Sequence, residues 1–174
     1  MKKIFLSVAA FVLISAGAFA QIEQGTILVG ASSNLSFISQ SFDGVDDKWN
    51  NFNLDVMGGY FVIENLAVGL NLGFDNTTFG DSKSTVTGFG LFGRYYVNGK
   101  IFIGAGFNSN KQKDDDGLSE SEFSFTTIPL EVGYAAFITD NIAIEPSLNY
   151  ILESGDVEGS IFGLNVGFAL YLGR

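Results

Sequence analysis

Ten residues at positions 66–75, LAVGLNLGFD, decide the fold. Every second residue from Leu66 to Phe74 is bulky and apolar, and the residues between them are small or polar. Because successive side chains of a β-strand point to opposite faces, this alternation predicts a strand with one apolar face and one small or polar face. The pattern recurs and predicts eight strands, over 26–37, 51–61, 66–75, 86–96, 101–108, 122–136, 142–151 and 162–172.

One of these strands changes phase. In 122–136 the apolar residues Phe123 and Phe125 are odd-numbered, whereas Ile128 and Leu130 are even-numbered. An extra residue in one strand of an antiparallel pair would absorb such a slip. We therefore expect a β-bulge near 126–127.

The connections between the strands alternate in length. Those at 62–65, 97–100 and 137–141 are short, and the second contains Asn-Gly, a strong hairpin signal. The others, roughly 38–50, 76–85, 109–121 and 152–160, are longer and polar. The sequence therefore predicts an up-and-down meander with tight turns at one end and long loops at the other.

The first twenty residues have a different character. Lys2 and Lys3 precede an apolar run, and Ala18-Phe19-Ala20 gives a small-x-small cleavage pattern. These features are typical of a secretory signal peptide. We expect a signal peptide over 1–20 and a single domain over 21–174.

Composition excludes several classes of function. The chain of 174 residues has a formal net charge of −10, which disfavours nucleic acid as a partner because phosphate binding requires Lys and Arg. It contains no Cys and no His, so it lacks disulfides and the commonest general base and metal ligand. We find no catalytic constellation and expect neither enzymatic activity nor a cofactor.

The placement of charge indicates which face of the strands is outside. Five charged residues fall within the predicted strands, all on the small or polar face: Asp55, Asp75, Arg94, Glu131 and Glu145. A soluble barrel would need a charged outer surface, whereas a membrane barrel turns its apolar face to lipid and its polar face to the lumen. The sequence favours a transmembrane β-barrel. A secreted, lipocalin-like carrier of small molecules, with the apolar face inside, is the alternative.

The same five residues are the candidate site. Arg94 is the only basic residue within a predicted strand, and Gly69 and Gly104 on neighbouring strands leave room for it. A buried arginine requires a carboxylate partner, and Glu145 is predicted at a similar height. We expect an ionic network that plugs the lumen, because eight strands leave little open channel. A narrow porin-like channel for small solutes is the alternative.

Two further motifs lie in the predicted loops. Asp114, Asp115 and Asp116 are weak candidates for a divalent-cation site, but they lack the spaced oxygen ligands of a calcium-binding loop, and a solvated acidic loop is the simpler interpretation. Trp49 and Phe42 could form a recognition patch, although anchoring at the membrane interface explains Trp49 equally well.

Three segments carry a family resemblance: GYFVIENLAVGL at 59–70, FGRYYV at 92–97 and the closing strand. With the signal peptide, they resemble the small OmpA/OmpX-type barrels and the outer membrane protein beta-barrel domain family of Bacteroidetes-type bacteria. The resemblance implies a monomeric, eight-stranded antiparallel barrel in the bacterial outer membrane, with a structural or surface-interaction role. It also implies outer-membrane lipids, lipopolysaccharide and the barrel-assembly machinery as partners. In the closing strand, Asn165, Gly167, Leu170 and Leu172 fit the spacing of this family's assembly signal.

Overall fold

The computed structural model describes residues 21–31, 36–41, 48–156 and 158–174. The expected signal peptide, Phe42 and the acidic residues of 42–47 lie outside the described residues. The strands are β1 Ile27–Ala31, β2 Ser36–Ser41, β3 Lys48–Ile63, β4 Leu66–Phe79, β5 Ser82–Val97, β6 Ile101–Asp115, β7 Glu120–Tyr134, β8 Ala136–Phe137, β9 Ile142–Gly155 and β10 Gly159–Leu172. The described part of the chain contains no helix long and apolar enough to cross a membrane.

The strands close into a barrel. From β3 to β7 each strand pairs antiparallel with the next, and β9 joins β7 to β10. Closure comes from β1, which pairs with β10 on one side and with β3 on the other. Because β1 and β2 share the first position of the ring and β8 continues β7, the result is the predicted eight-stranded, up-and-down, antiparallel barrel.

The tight turns are where the sequence predicted them. Asn98 and Gly99 take positive φ angles of 53° and 66° between β5 and β6, as a two-residue hairpin turn requires. Asn65, between β3 and β4, also has a positive φ of 63°. Both chain ends of the described barrel lie at this short-turn end, since β1 starts and β10 finishes beside the turns.

The prediction of long loops is mostly wrong. β6 and β7 continue to Asp115 and Glu120, so the expected loop 109–121 shrinks to a turn at 116–119. The expected loops 76–85 and 152–160 are likewise largely strand. The sequence of these extensions is polar because both of their faces meet water, and polar residues without alternation were read as loop.

The prediction of a β-bulge near 126–127 is also wrong. The β6–β7 register is the same at Asp115↔Glu120 as at Ile101↔Tyr134, and β7 pairs with β9 without a shift from Phe125 to Gly133. Phe123 and Phe125 therefore lie on the same face as Glu131. The change of apolar phase marks where the apolar belt ends, not a change of register.

The apolar face is outside. Leu70 and Leu72 of β4 are 47% and 55% exposed, and Leu91 of β5 is 58% exposed. The intervening positions face the interior and carry Asn, Gly, Ser and the charged residues named above. A soluble carrier with an apolar interior is therefore the wrong interpretation.

Candidate functional site

Arg94 lies at the centre of an ionic cluster inside the barrel. Strand register places it there, because Arg94 on β5 is opposite Gly104 on β6, and Gly104 is opposite Glu131 on β7. A Cβ at residue 104 would collide with the Glu131 carboxylate, so glycine provides the space for this pair. The guanidinium donates through Nε to Oε1 of Glu131 at 2.7 Å and through Nη2 to Oε2 at 3.0 Å. This two-pronged geometry gives strong, charge-assisted hydrogen bonds.

Glu145 completes the cluster from β9. Arg94 Nη1 donates to Oε2 of Glu145 at 2.8 Å, and the Tyr171 hydroxyl donates to Oε1 of the same carboxylate. Arg94 and Glu145 are only 3% and 5% exposed. Two carboxylates thus share one guanidinium, and the Tyr171 hydroxyl gives Glu145 a further hydrogen bond.

Tyr96 and Tyr171 extend the cluster towards the short turns. Their hydroxyl oxygens are 3.0 Å apart, and Arg94 Nη1 lies 3.2 Å from the Tyr96 hydroxyl oxygen. The Phe102 ring covers the guanidinium, with its centroid 4.2 Å from Cζ of Arg94. Arg94 therefore has carboxylate oxygens on one side and an aromatic face on another, an arrangement that satisfies its hydrogen bonds and excludes water.

Below the cluster an aromatic layer fills the lumen. It consists of Phe61, Tyr96, Phe102 and Tyr171, each with at most 1% of its surface exposed. The rings of Phe61 and Phe102 each have their centroid 5.5 Å from that of Tyr96, and Phe61 and Tyr171 are 6.2 Å apart. Ala67, Ala135, Ala143 and Ala169 pack around the rings.

Sequence reasoning missed this layer. Three of its members share one signal: a bulky aromatic residue that interrupts the small-residue face within three positions of a tight turn, at Phe61, Tyr96 and Phe102. Tyr171 occupies the matching inward position near the end of β10. Because aromatic residues recur at the same place on a face of small residues, the sequence pattern could have predicted this layer.

The segment before β1 covers the short-turn opening of the barrel. Ile22 is fully buried against the aromatic layer. Its backbone N–H donates to Oδ1 of Asn65 and its carbonyl accepts from the Asn65 N–H, both at 3.0 Å. Gly25 N–H donates to the Phe61 carbonyl, and Phe61 N–H donates to the Thr26 carbonyl. Residues 22–26 are therefore fixed across the opening by paired backbone hydrogen bonds.

On the other side of the ionic cluster the lumen contains a cavity of about 280 Å³. Its walls combine apolar side chains with amide, carboxylate and hydroxyl groups, among them those of Asp55, Asn71, Asn108, Ser147, Asn149 and Asn165. Asn71 donates to Oδ1 of Asn108 at 2.8 Å, and Asn108 donates to the Thr127 hydroxyl at 3.1 Å. The cavity thus has hydrogen-bonding groups in its walls and ends at the Arg94 cluster.

The structure thus brings together three of the five predicted lumen residues. Asp75 is held elsewhere, by the amides of Asn51 at 3.1 Å and Asn53 at 2.9 Å. It lies eight residues further along β4 than Ala67, the residue opposite Arg94. Asp55 faces the cavity, and the absence of a side chain at Gly73 makes room for its carboxylate.

The three aspartates of 114–116 do not converge. Asp114 faces inwards and accepts hydrogen bonds from Ser84 and Gln112, whereas Asp115 is the next strand residue and faces outwards. Asp116 Oδ1 accepts from the N–H groups of Leu118 and Ser119 at 2.9 and 2.7 Å. Within the described ranges no group of three or more acidic residues could hold a metal ion. The geometry gives no support to a divalent-cation site here.

The residues of the expected assembly signal lie on β10 at alternating faces. Asn165 and Gly167 face the lumen, and Leu172 faces outwards, where it is 42% exposed. Leu170 is opposite Ile142 of β9 and Val29 of β1, at the point where the ring closes. Their role as a signal stays a prediction.

Solved structures with the same fold support the barrel assignment. The N-terminal β-barrel domain of Pseudomonas aeruginosa OprF is 14% identical, with a TM-score of 0.53 over 86% of this chain and 98% of that one. Neisserial surface protein A is 17% identical, with a TM-score of 0.51 over 83% and 95% of the two chains. Yersinia pestis outer membrane protein Ail is 17% identical, with a TM-score of 0.51 over 84% and 100%. At these identities the likeness shows the fold alone.

Sequence comparison gives the family. A search of curated proteins found no match. The family model of the outer membrane protein beta-barrel domain matches residues 6–169, nearly the whole chain. The chain therefore belongs to the outer membrane protein beta-barrel domain family, and the protein is an eight-stranded barrel of the bacterial outer membrane.

Proposed function

We propose that this protein is a sealed outer-membrane barrel with a structural or surface-interaction role. One observation carries the proposal: the Arg94 cluster lies directly on an aromatic layer whose four rings are almost completely buried. An ion crossing the lumen would have to break a buried ion pair and then pass a closely packed apolar layer. Both steps are costly, because an unpaired charge in a low-dielectric interior loses its hydration without compensation.

The alternative is a narrow porin-like channel for small solutes. The cavity of about 280 Å³ favours it, since this part of the lumen contains polar groups and is large enough for water. To conduct, however, the barrel would have to displace both the aromatic layer and the segment 22–26. That segment is tied to the barrel by backbone hydrogen bonds on both Asn65 and Phe61. The sealed barrel therefore accounts for more of the structure.

We also propose which partners the barrel contacts and that it has no enzymatic role. The exposed apolar belt is suited to outer-membrane lipids, with lipopolysaccharide outside the belt. Asn165, Gly167, Leu170 and Leu172 are proposed as the contact for the barrel-assembly machinery, and the closed ring is proposed to act as a monomer. We propose no enzymatic role, because the chain has no His, the commonest general base.

Planar-bilayer conductance tests the sealed lumen. The parent protein should show no discrete conductance steps, and neither should Arg174→Gln, a matched control at the short-turn end of the barrel. Discrete steps in the parent whose ion selectivity changes in Arg94→Gln would refute the sealed barrel and support the channel. The refutation would be complete if Arg94→Gln left unfolding by urea unchanged, because the cluster would then not be a plug.

A further inference from the structure

A second concave site lies at the extracellular end of the barrel, opposite the short periplasmic turns. It has a volume of about 330 Å³ and lies between the β4–β5 and β6–β7 turns. We call it the rim cup and define it by Trp49, Phe79, Ser84, Asp114, Ser119 and Ser121. Its size is at the lower end for pockets that hold small molecules. It is separate from the Arg94 cluster, whose residues do not line it.

An aromatic pair forms one wall of the rim cup. Trp49 on β3 and Phe79 on β4 are direct cross-strand partners, so their rings lie on the same face of the barrel wall. Both occupy inward-facing positions, which separates them from the lipid-facing belt. Phe79 is 43% exposed although it faces the barrel interior. Part of the Phe79 ring therefore stays exposed beside Trp49, on the inner side of the barrel wall.

A polar row continues around the wall from the aromatic pair. Register aligns Thr77 with Ser84, Ser84 with Asp114 and Asp114 with Ser121, across four adjacent strands. The Ser84 hydroxyl donates to Oδ1 of Asp114 at 2.5 Å, and Gln112 donates to both carboxylate oxygens at 3.0 Å. The Asp114 carboxylate is thus fixed in place and, with two lone pairs on each oxygen, has acceptor capacity left for a ligand.

The charge of the cup favours a neutral ligand. The lining of the cup carries one cation, Lys83, and three carboxylates, those of Asp114, Asp115 and Asp116. Each carboxylate already accepts a hydrogen bond from within the protein: Asp114 from Ser84, Asp115 from the Gly117 N–H, and Asp116 from the N–H groups of Leu118 and Ser119. An anion would be repelled by these aspartates, and a metal ion would find no set of converging oxygen ligands.

We propose that the rim cup binds a pyranose ring of a saccharide. A pyranose has an apolar face of C–H groups that can stack on an aromatic ring, and an edge of hydroxyls that donate to carboxylates and exchange hydrogen bonds with serine. The aromatic pair and the Ser84–Asp114–Ser121 row supply these two kinds of contact within the one cup. This inference goes beyond the sealed barrel and does not depend on whether the lumen conducts.

The chain provides its own reporter, because Trp49 is its only tryptophan. The barrel is refolded into vesicles of phosphatidylcholine, since detergents with sugar headgroups would compete for the cup. Methyl α-D-glucoside, methyl α-D-galactoside and methyl α-D-mannoside are then titrated while Trp49 emission is recorded. At least one glycoside should give a saturable change with a dissociation constant on the order of 1–10 mM. Sorbitol, an open-chain polyol without a ring face, should give none.

Two variants and their controls complete the test. Phe79→Ala and Asp114→Asn should each weaken binding about tenfold, which corresponds to about 1.4 kcal/mol. Phe162→Ala on the lipid face of β10 and Asp140→Asn in a periplasmic turn should bind like the parent. The absence of a saturable change with all three glycosides would overturn the proposal. So would an equal response to sorbitol, or unchanged binding by both cup variants.

Discussion

Arg94→Gln removes the guanidinium that the carboxylates of Glu131 and Glu145 share. Arg94 makes three hydrogen bonds to them, at 2.7, 3.0 and 2.8 Å. Breaking a buried ion pair from one side costs about 3–5 kcal/mol, because the remaining charge stays buried without a partner. The Glu131 side chain is 18% exposed and regains some hydration, so we expect a loss of about 3 kcal/mol in the free energy of unfolding.

Two companion variants separate charge from geometry. Arg94→Lys keeps the charge but cannot make the two-pronged contact with Glu131, so it should lose less than Arg94→Gln. A triple variant with Arg94→Met, Glu131→Gln and Glu145→Gln removes every charge of the cluster. It should be more stable than Arg94→Gln alone, because replacing a whole buried ionic group by neutral residues is often close to neutral in energy.

Reversible urea unfolding from lipid vesicles measures these differences, with Trp49 emission and the heat-dependent gel mobility of the folded barrel as two readouts. Arg174→Gln is the matched control: it also removes one cation, which lies over the Phe137 ring at 3.6 Å, and should cost below about 1 kcal/mol. If Arg94→Gln unfolded at the same urea concentration as the parent and the control, the cluster would not be a stabilising plug.

Two further predictions concern the barrel faces and the turn between β6 and β7. Leu70→Arg, on the lipid face, should cost about 2–4 kcal/mol near the middle of the bilayer, and Asn71→Arg, which faces the lumen, should cost less; equal urea midpoints would show that the faces are misassigned. Amide hydrogen bonds from Leu118 and Ser119 hold the pKa of Asp116 below its usual value, because they favour the charged carboxylate. The stability from this carboxylate is fully present above its unfolded-state pKa and is lost as pH falls through the lower folded-state pKa. An NMR titration of the Leu118 amide should show this midpoint in the parent and none in Asp116→Asn, whereas a midpoint at the ordinary aspartate value would contradict the turn geometry.

The faces of the barrel could be predicted from the sequence because two different environments enforce a period of two. Leu70 meets lipid and Asn71 meets the lumen, and neither environment tolerates the other residue type well. Once the faces are known, Arg94 must find an inward-facing carboxylate. The choice of Glu131 and Glu145 over Asp75 depends on register, since Asp75 is on the correct face but many residues away along the strands.

The strand ends could not be predicted, because the constraint that produces alternation stops at the edge of the bilayer. Both faces of β6 are polar at Lys111, Gln112 and Lys113. These residues nevertheless lie within the strand and pair with β7. Lys111 even forms an outward-facing ion pair with Glu122 at 2.6 Å. Exposed pairs of this kind contribute little energy, so the sequence carries no strong pattern for them. For the same reason Trp49 was predicted in a loop and is found in β3.

The ionic cluster also bears on how this barrel selects its register. Its charged and hydroxyl groups come from β5, β7, β9 and β10, so it connects half of the ring through side chains as well as through backbone hydrogen bonds. A slip of one residue in β5 would turn Arg94 outwards into lipid, at a cost set by its depth in the bilayer, and would leave both carboxylates buried and unpaired. An apolar plug of the same volume would resist such a slip less, because leucine or phenylalanine is stable on either side of the wall. The aromatic layer can therefore fill the lumen, but the charges above it distinguish the correct register from its neighbours.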